Sequence, residues 1–197
     1  MDAKPTHYDK RSGFWRQHFE MAKPYEEFID ASNKEKAARW RDMVERLPEL
    51  KEDQVERLKG WGRKLNVLMY CGIWCGDCAR QGPMLKKIVD AAGPEVNLRL
   101  IDREASKELQ EELRILGALR VPIIVFLTED YWEVGRFGDR LLTVYRAMAA
   151  REVGRGNPQG VLSPKALEAE VAEWADIFER VLTMVRLSPP LRERYGD

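Results

Sequence analysis

Apolar residues recur every three or four positions along both ends of this chain and run almost unbroken through a short stretch near its middle. That pattern predicts helical ends around a buried sheet. Trp15, Phe19 and Ala22 share one helical face, Ala37, Trp40, Met43, Val44 and Leu47 form a second stripe, and Val55, Leu58 and Trp61 continue it, so residues 14–62 read as helices. Gly60 and Gly62 end them, and Leu65–Cys71 follows as a nearly continuous apolar run, the pattern of a strand buried on both faces in a parallel, covered sheet. An amphipathic segment then runs to Gly93-Pro94, Val96, Leu98 and Leu100 alternate as a second strand, and residues 106–116 read as the next helix, giving a βαβ unit. Residues 123–127 and 132–137 read as two further strands joined by a hairpin turn at Glu129-Asp130.

Beyond Gly138, residues 141–151 read as a helix and 154–160 as a loop. Ser163-Pro164 supplies an N-cap and first residue for a helix through Leu187, with Leu167, Val171, Trp174, Phe178, Val181 and Val185 as its stripe, and Ser188-Pro189-Pro190 stops it. The organisation expected is an N-terminal helical extension packed on the core over 1–62, a core over 63–150, and a C-terminal loop and helix over 151–197.

Composition narrows the function. With 197 residues, 44% of them hydrophobic, the chain can bury an ordinary core. Lys plus Arg equal Asp plus Glu at 33 each, so no global basic field exists to hold nucleic acid. The first 20 residues hold no apolar core of a signal peptide, and no run of 18 apolar residues occurs, so no membrane partner is expected and the protein reads as cytoplasmic. Three cysteines in a reducing compartment point to redox or metal chemistry rather than structural disulfides.

Two of those cysteines lie in Trp74-Cys75-Gly76-Asp77-Cys78, where the apolar strand gives way to the amphipathic helix. A cysteine in a helix's first turn faces unpaired backbone N–H groups and the positive end of the macrodipole, which favour the thiolate, and a partner three residues on can close a disulfide. A structural zinc would need two further ligands from among Cys71, His7 and His18. The spacing Cys71-x3-Cys75-x2-Cys78 also matches the ligation of a [4Fe–4S] cluster in radical S-adenosylmethionine enzymes. Those usually have an aromatic residue where this chain has Asp77, and too few residues follow Cys78 for their barrel. Cys71, ending a buried strand, reads as a small hydrophobe. Neither a metal nor a cofactor is expected.

The run 66–86, NVLMYCGIWCGDCARQGPMLK, resembles a thioredoxin active-site segment, with tryptophan before the first cysteine and Pro83 eight residues after it. Residues 117–122, GALRVP, followed by IIVFL, look like the thioredoxin cis-proline loop leading into a strand, and residues 133–137 resemble the following edge strand. The chain looks most similar to the bacterial thioredoxin-like branch that carries WCGDC. This resemblance implies a thioredoxin fold, an α/β mixed sheet covered by helices on both faces, here with N- and C-terminal helical extensions. It implies a thiol–disulfide oxidoreductase acting on protein or small-molecule disulfides, with Cys75 as nucleophile, Cys78 as resolving thiol and a separate reductant to reset the pair. It implies a cis Val121–Pro122 bond that leaves the backbone of Val121 free to pair with an extended substrate, with Trp74 and Gly76 forming the surface around the sulfur.

The sequence also departs from the family pattern. Met69 occupies the place of the buried acid beneath the cysteines and Leu98 lies near the place of its lysine neighbour, while Asp77 sits inside the motif, where it tunes the couple or simply suits the helix start. Gly138-Asp139-Arg140 reads as a solvated turn, with lining of the dithiol edge as the alternative. A reading from another class is a non-catalytic binding module whose helical extensions form a redox-gated surface, such as a homodimer interface.

Overall fold

A computed structural model describes residues 8–155 and 164–197. The chain enters through α1 (Ser12–Met21), β1 (Lys23–Pro24), α2 (Tyr25–Asp30), α3 (Lys34–Arg46) and α4 (Glu52–Leu58). It continues through β2 (Leu65–Cys71), α5 (Gly76–Ala92), β3 (Val96–Asp102), α6 (Lys107–Glu112), β4 (Ile123–Thr128) and β5 (Glu133–Gly138). It ends in α7 (Leu142–Val153), α8 (Pro164–Leu187) and α9 (Pro189–Tyr195). The predicted loop positions 156–160 and the N-cap Ser163 lie outside the described residues.

One five-stranded sheet runs in the order β1-β3-β2-β4-β5. β2 pairs parallel with β3 and antiparallel with β4, and β4 pairs antiparallel with β5 across the expected hairpin. The sheet is therefore mixed, as the family resemblance implies, rather than purely parallel as the apolar run alone suggested. β2 and β4 are buried at every position, so helices must cover both faces of the central strands. α5 packs with α3, α4 and α8. The apolar stripe of α8 lies inward, and Phe178 meets Phe126 of β4 edge to face at 5.1 Å. α1 reaches α6 through the buried His18, whose ring nitrogens pair with Phe14 O and Ser106 Oγ, each at 2.8 Å.

Four elements differ from expectation. β1 has two residues, too few for any periodicity, yet Lys23 and Pro24 pair antiparallel with Leu100 and Arg99. The helix expected over 106–116 ends at Glu112, because Leu116 and Gly117 both take positive φ in a two-residue turn that hydrogen-bonds Ile115 to Ala118. Pro189 and Pro190 not only stop α8 but occupy the first helical positions of α9, where a missing N–H costs nothing. Val44 is 46% exposed, so the inward face of α3 is Ala37, Trp40 and Met43.

Candidate active site

Cys75 is the N-cap of α5, in extended backbone geometry, and its Sγ accepts the Cys78 backbone N–H at 3.3 Å. Extended β2 delivers the chain into this turn, and Gly72 O holds it closed by accepting the Cys75 N–H at 2.9 Å. Cys75 is 9% exposed and Cys78 fully buried, and all three cysteines are free thiols. The Val121–Pro122 bond is cis, as the resemblance implies. The Val121 carbonyl faces the site, since the Cys75 thiol donates to Val121 O at 3.6 Å. Trp74 is 44% exposed, its ring folded over Gly72 and covered by the Arg103 guanidinium at 4.8 Å.

The two thiols are made unequal by their surroundings. The Cys75 pKa is lowered to about 7, chiefly because the Cys78 thiol donates to its sulfur. Burial opposes this, the backbone N–H groups of Cys78 and Asp77 assist, and the Asp77 charge partly cancels the gain. The Cys78 thiol is pushed strongly upward, first by burial and then by its bond to Cys75. Cys75 thus ionises first while Cys78 keeps its proton. Cys71, fully buried at the end of β2 with Ile101 O 3.8 Å from its sulfur, is raised well above the ordinary thiol range by burial. Met69, also fully buried and paired with Leu100 and Ile124, puts no acid beneath the pair.

Gly138-Asp139-Arg140 is not a solvated turn. Arg140 Nη2 lies 2.7 Å from Asp77 Oδ2, and the 3% exposed Asp139 takes hydrogen bonds from Arg120 at 3.0 Å, from Arg140 at 3.3 Å and from the Tyr145 hydroxyl. Burial disfavours the Asp139 carboxylate, but the bonds from Tyr145 and Arg120 outweigh it and hold the pKa below the usual range. Gln81, one turn after Cys78, donates to Asp139 O at 2.9 Å. Gly138 sits so close to the proline loop that a Cβ would fall 2.7 Å from Pro122 O. The motif acid is therefore matched by a cation from the β5–α7 connection. The signal for it in the sequence is weak: an acid beside two thiols needs a counter-charge, but nothing local says which arginine supplies it.

Two further supports come from the terminal helices. Trp40 of α3 donates its indole N–H to Ile73 O at 3.1 Å, just before the motif, and its ring fills the space where a Gly82 Cβ would stand only 2.1 Å from Trp40 Cζ3. Arg80 in α5 and Glu170 in α8 form a buried, two-pronged ion pair, with Nε to Oε2 at 2.8 Å. Glu170 falls within the apolar stripe of α8, and a charge at such a position signals a buried partner. Of the ligands weighed for zinc, His7 lies outside the described residues and His18 is committed to Phe14 and Ser106.

A family model described as thioredoxin matches residues 22–152, about two thirds of the chain. The chain belongs to the thioredoxin-like family. A thioredoxin of Malassezia sympodialis is 32% identical over 75 residues, which cover 38% of this chain and 68% of that relative. A protein of unknown function from Pseudomonas aeruginosa superposes with a TM-score of 0.58 at 22% identity, covering 87% of this chain and 93% of that one. An HIV epitope scaffold superposes equally well, at 0.58, with 19% identity over 87% of this chain and 94% of the other. These two share the fold, and over more of the chain than the family match spans. Thioredoxin-like membership points in general to thiol–disulfide chemistry. No helix among the described residues is long and apolar enough to cross a membrane.

Proposed function

We propose that the protein is a thiol–disulfide oxidoreductase that reduces disulfides through Cys75 and Cys78. The observation that carries this reading is the asymmetry of the pair: a sulfur at the mouth of the site with its pKa near 7, beside a buried thiol that donates to it. The Cys75 thiolate attacks one sulfur of a substrate disulfide. The S–S bond breaks, a mixed disulfide forms, and the departing substrate thiolate takes a proton. Cys78 then gives up its proton, attacks Cys75 Sγ, and releases the second substrate thiolate. The substrate gains two electrons and two protons, and the protein is left with a Cys75–Cys78 disulfide that a thiol reductant must reopen.

Arg140 suits this reading because it offsets the one charge in the motif that opposes the thiolate. The apposition of Val121 O to Cys75 places the backbone of the proline loop beside the reacting sulfur, where an extended substrate could pair with it. Trp74 and Gly76 border the same opening, both exposed.

The test is turnover of a generic disulfide with a small dithiol as reductant. The reading expects rates well above the uncatalysed exchange, lost on Cys75→Ser and reduced to slow, single-thiol exchange on Cys78→Ser. Wild-type rates no better than the dithiol alone would overturn it and leave the binding-module reading.

A further inference from the structure

Beside the dithiol, β5, the start of α7 and the middle of α8 enclose an open cleft of about 680 Å³, within the size range of ligand sites. Three of its lining residues adjoin the surroundings of the dithiol. Gln81 lies one turn beyond Cys78 on α5, Gly138 abuts the carbonyl of Pro122, and Arg140 is paired with Asp77. Three of the large apolar side chains that the protein leaves exposed, Phe137, Leu142 and Tyr145, line this one cleft. Exposed apolar area gathered in a concavity marks a binding surface rather than scatter.

The polar groups of the cleft indicate what it takes. Gln81 Oε1, an acceptor, and Trp174 Nε1, a donor, are both buried and have no hydrogen-bond partner among the described residues. Such groups ordinarily find one. Both atoms are sealed beneath the surface, so the exposed groups of the cleft are the ones that meet a ligand. The cleft's acids are already engaged: Glu173 caps α7 through Leu142 and Thr143, and Asp176 pairs with Arg57. Arg140 is likewise engaged, but the exposed Arg180 has no acidic partner among the described residues.

We infer that this cleft is the docking site for the polypeptide that carries the disulfide, taking an extended segment with an apolar side chain next to an acidic one. The inference rests on the thiol–disulfide reading and names its substrate class. The apolar side chain packs among Phe137, Leu142 and Tyr145, and the carboxylate meets Arg180. A small disulfide with no chain attached reaches the sulfur without using the cleft.

Two substrates are compared with pre-reduced protein: hydroxyethyl disulfide, and an unstructured peptide disulfide with leucine and glutamate within a few residues of its cystine. The peptide should react at least tenfold faster, and Leu142→Asp and Arg180→Glu should each remove most of that preference. Hydroxyethyl disulfide should react at the same rate in all three proteins. Replacing the peptide's glutamate by lysine should restore the preference in Arg180→Glu alone, which a merely structural defect cannot do. Equal rates for both substrates in the wild type, or a preference untouched by either variant and by the charge swap, would overturn the inference. If neither disulfide is reduced, the thiol–disulfide reading falls. The cleft is then judged by fluorescence anisotropy of the same peptide with serines for cysteines: saturable binding weakened by Arg180→Glu sustains the docking site, and its absence refutes it.

Discussion

Single residues decide whether Cys75 is reactive at neutral pH. Its sulfur gains from the Cys78 thiol and from backbone N–H groups, and it loses part of that gain to Asp77, whose charge Arg140 partly neutralises across 2.7 Å. Because the pKa is lowered to about 7, the thiolate forms as pH rises through 7. Cys75 alkylation should climb between pH 6 and 8 and level off above, whereas an ordinary thiol keeps climbing beyond pH 8. Asp77→Asn should move that midpoint down, because it removes the charge that opposes the thiolate, and Arg140→Gln should move it up, because it exposes that charge. In the double variant the Arg140 effect should largely vanish, since its target is gone; stopped-flow alkylation against pH reads all four proteins. Gly82 makes a second residue-scale prediction. Alanine in a helix interior normally stabilises by roughly 0.5–1 kcal/mol over glycine, but here a Cβ collides with the Trp40 ring. Gly82→Ala should therefore destabilise by about 1–3 kcal/mol in denaturant unfolding, and a gain in stability would show that Trp40 has room to move.

Elements with long, regular apolar patterns are the ones the sequence makes legible. The stripe of α8 was readable from Leu167 to Val185 because its residues share one face along most of a 24-residue helix, and β2 was readable because it is buried on both faces. β1 was not, since two residues carry no period and their partners lie far along the chain, and neither was the Leu116-Gly117 turn, since a leucine at positive φ is not a residue that signals a turn. The motif cysteines and the proline loop were visible as local strings. The Arg140–Asp77 and Arg80–Glu170 pairs were not, because each joins residues more than sixty positions apart that only the fold brings together. The second pair has a measurable consequence. Glu170→Gln removes the carboxylate with which the buried Arg80 pairs and should cost about 3–5 kcal/mol, while replacing both by Met and Leu should cost far less. Chemical denaturation of the two variants compares them directly, and a double variant as unstable as the single one would contradict this account.

At the scale of the whole molecule, the terminal helices are continuous with the core. Trp40 reaches the loop before the motif, and Trp174, Phe178 and Val181 are buried in α8, where Phe178 covers Phe126. Truncation after residue 155 would open the β4–β5 face to water. The shortened chain should lose cooperative thermal unfolding, whereas a sharp transition would show that the sheet stands without α8. The same helix, with α7 and β5, walls the cleft beside the dithiol, so the extension and the site form one structure.

The claim on which these consequences depend is that Cys75, and neither Cys71 nor Cys78, attacks the substrate disulfide. Cys78→Ser should trap the first intermediate, and mass mapping of that variant after reaction with a model disulfide locates the bond. The account predicts one adduct per chain, on Cys75, leaving the buried Cys71 reduced. An adduct on Cys71, or no stable adduct at all while Cys75 remains a free thiol, would contradict it.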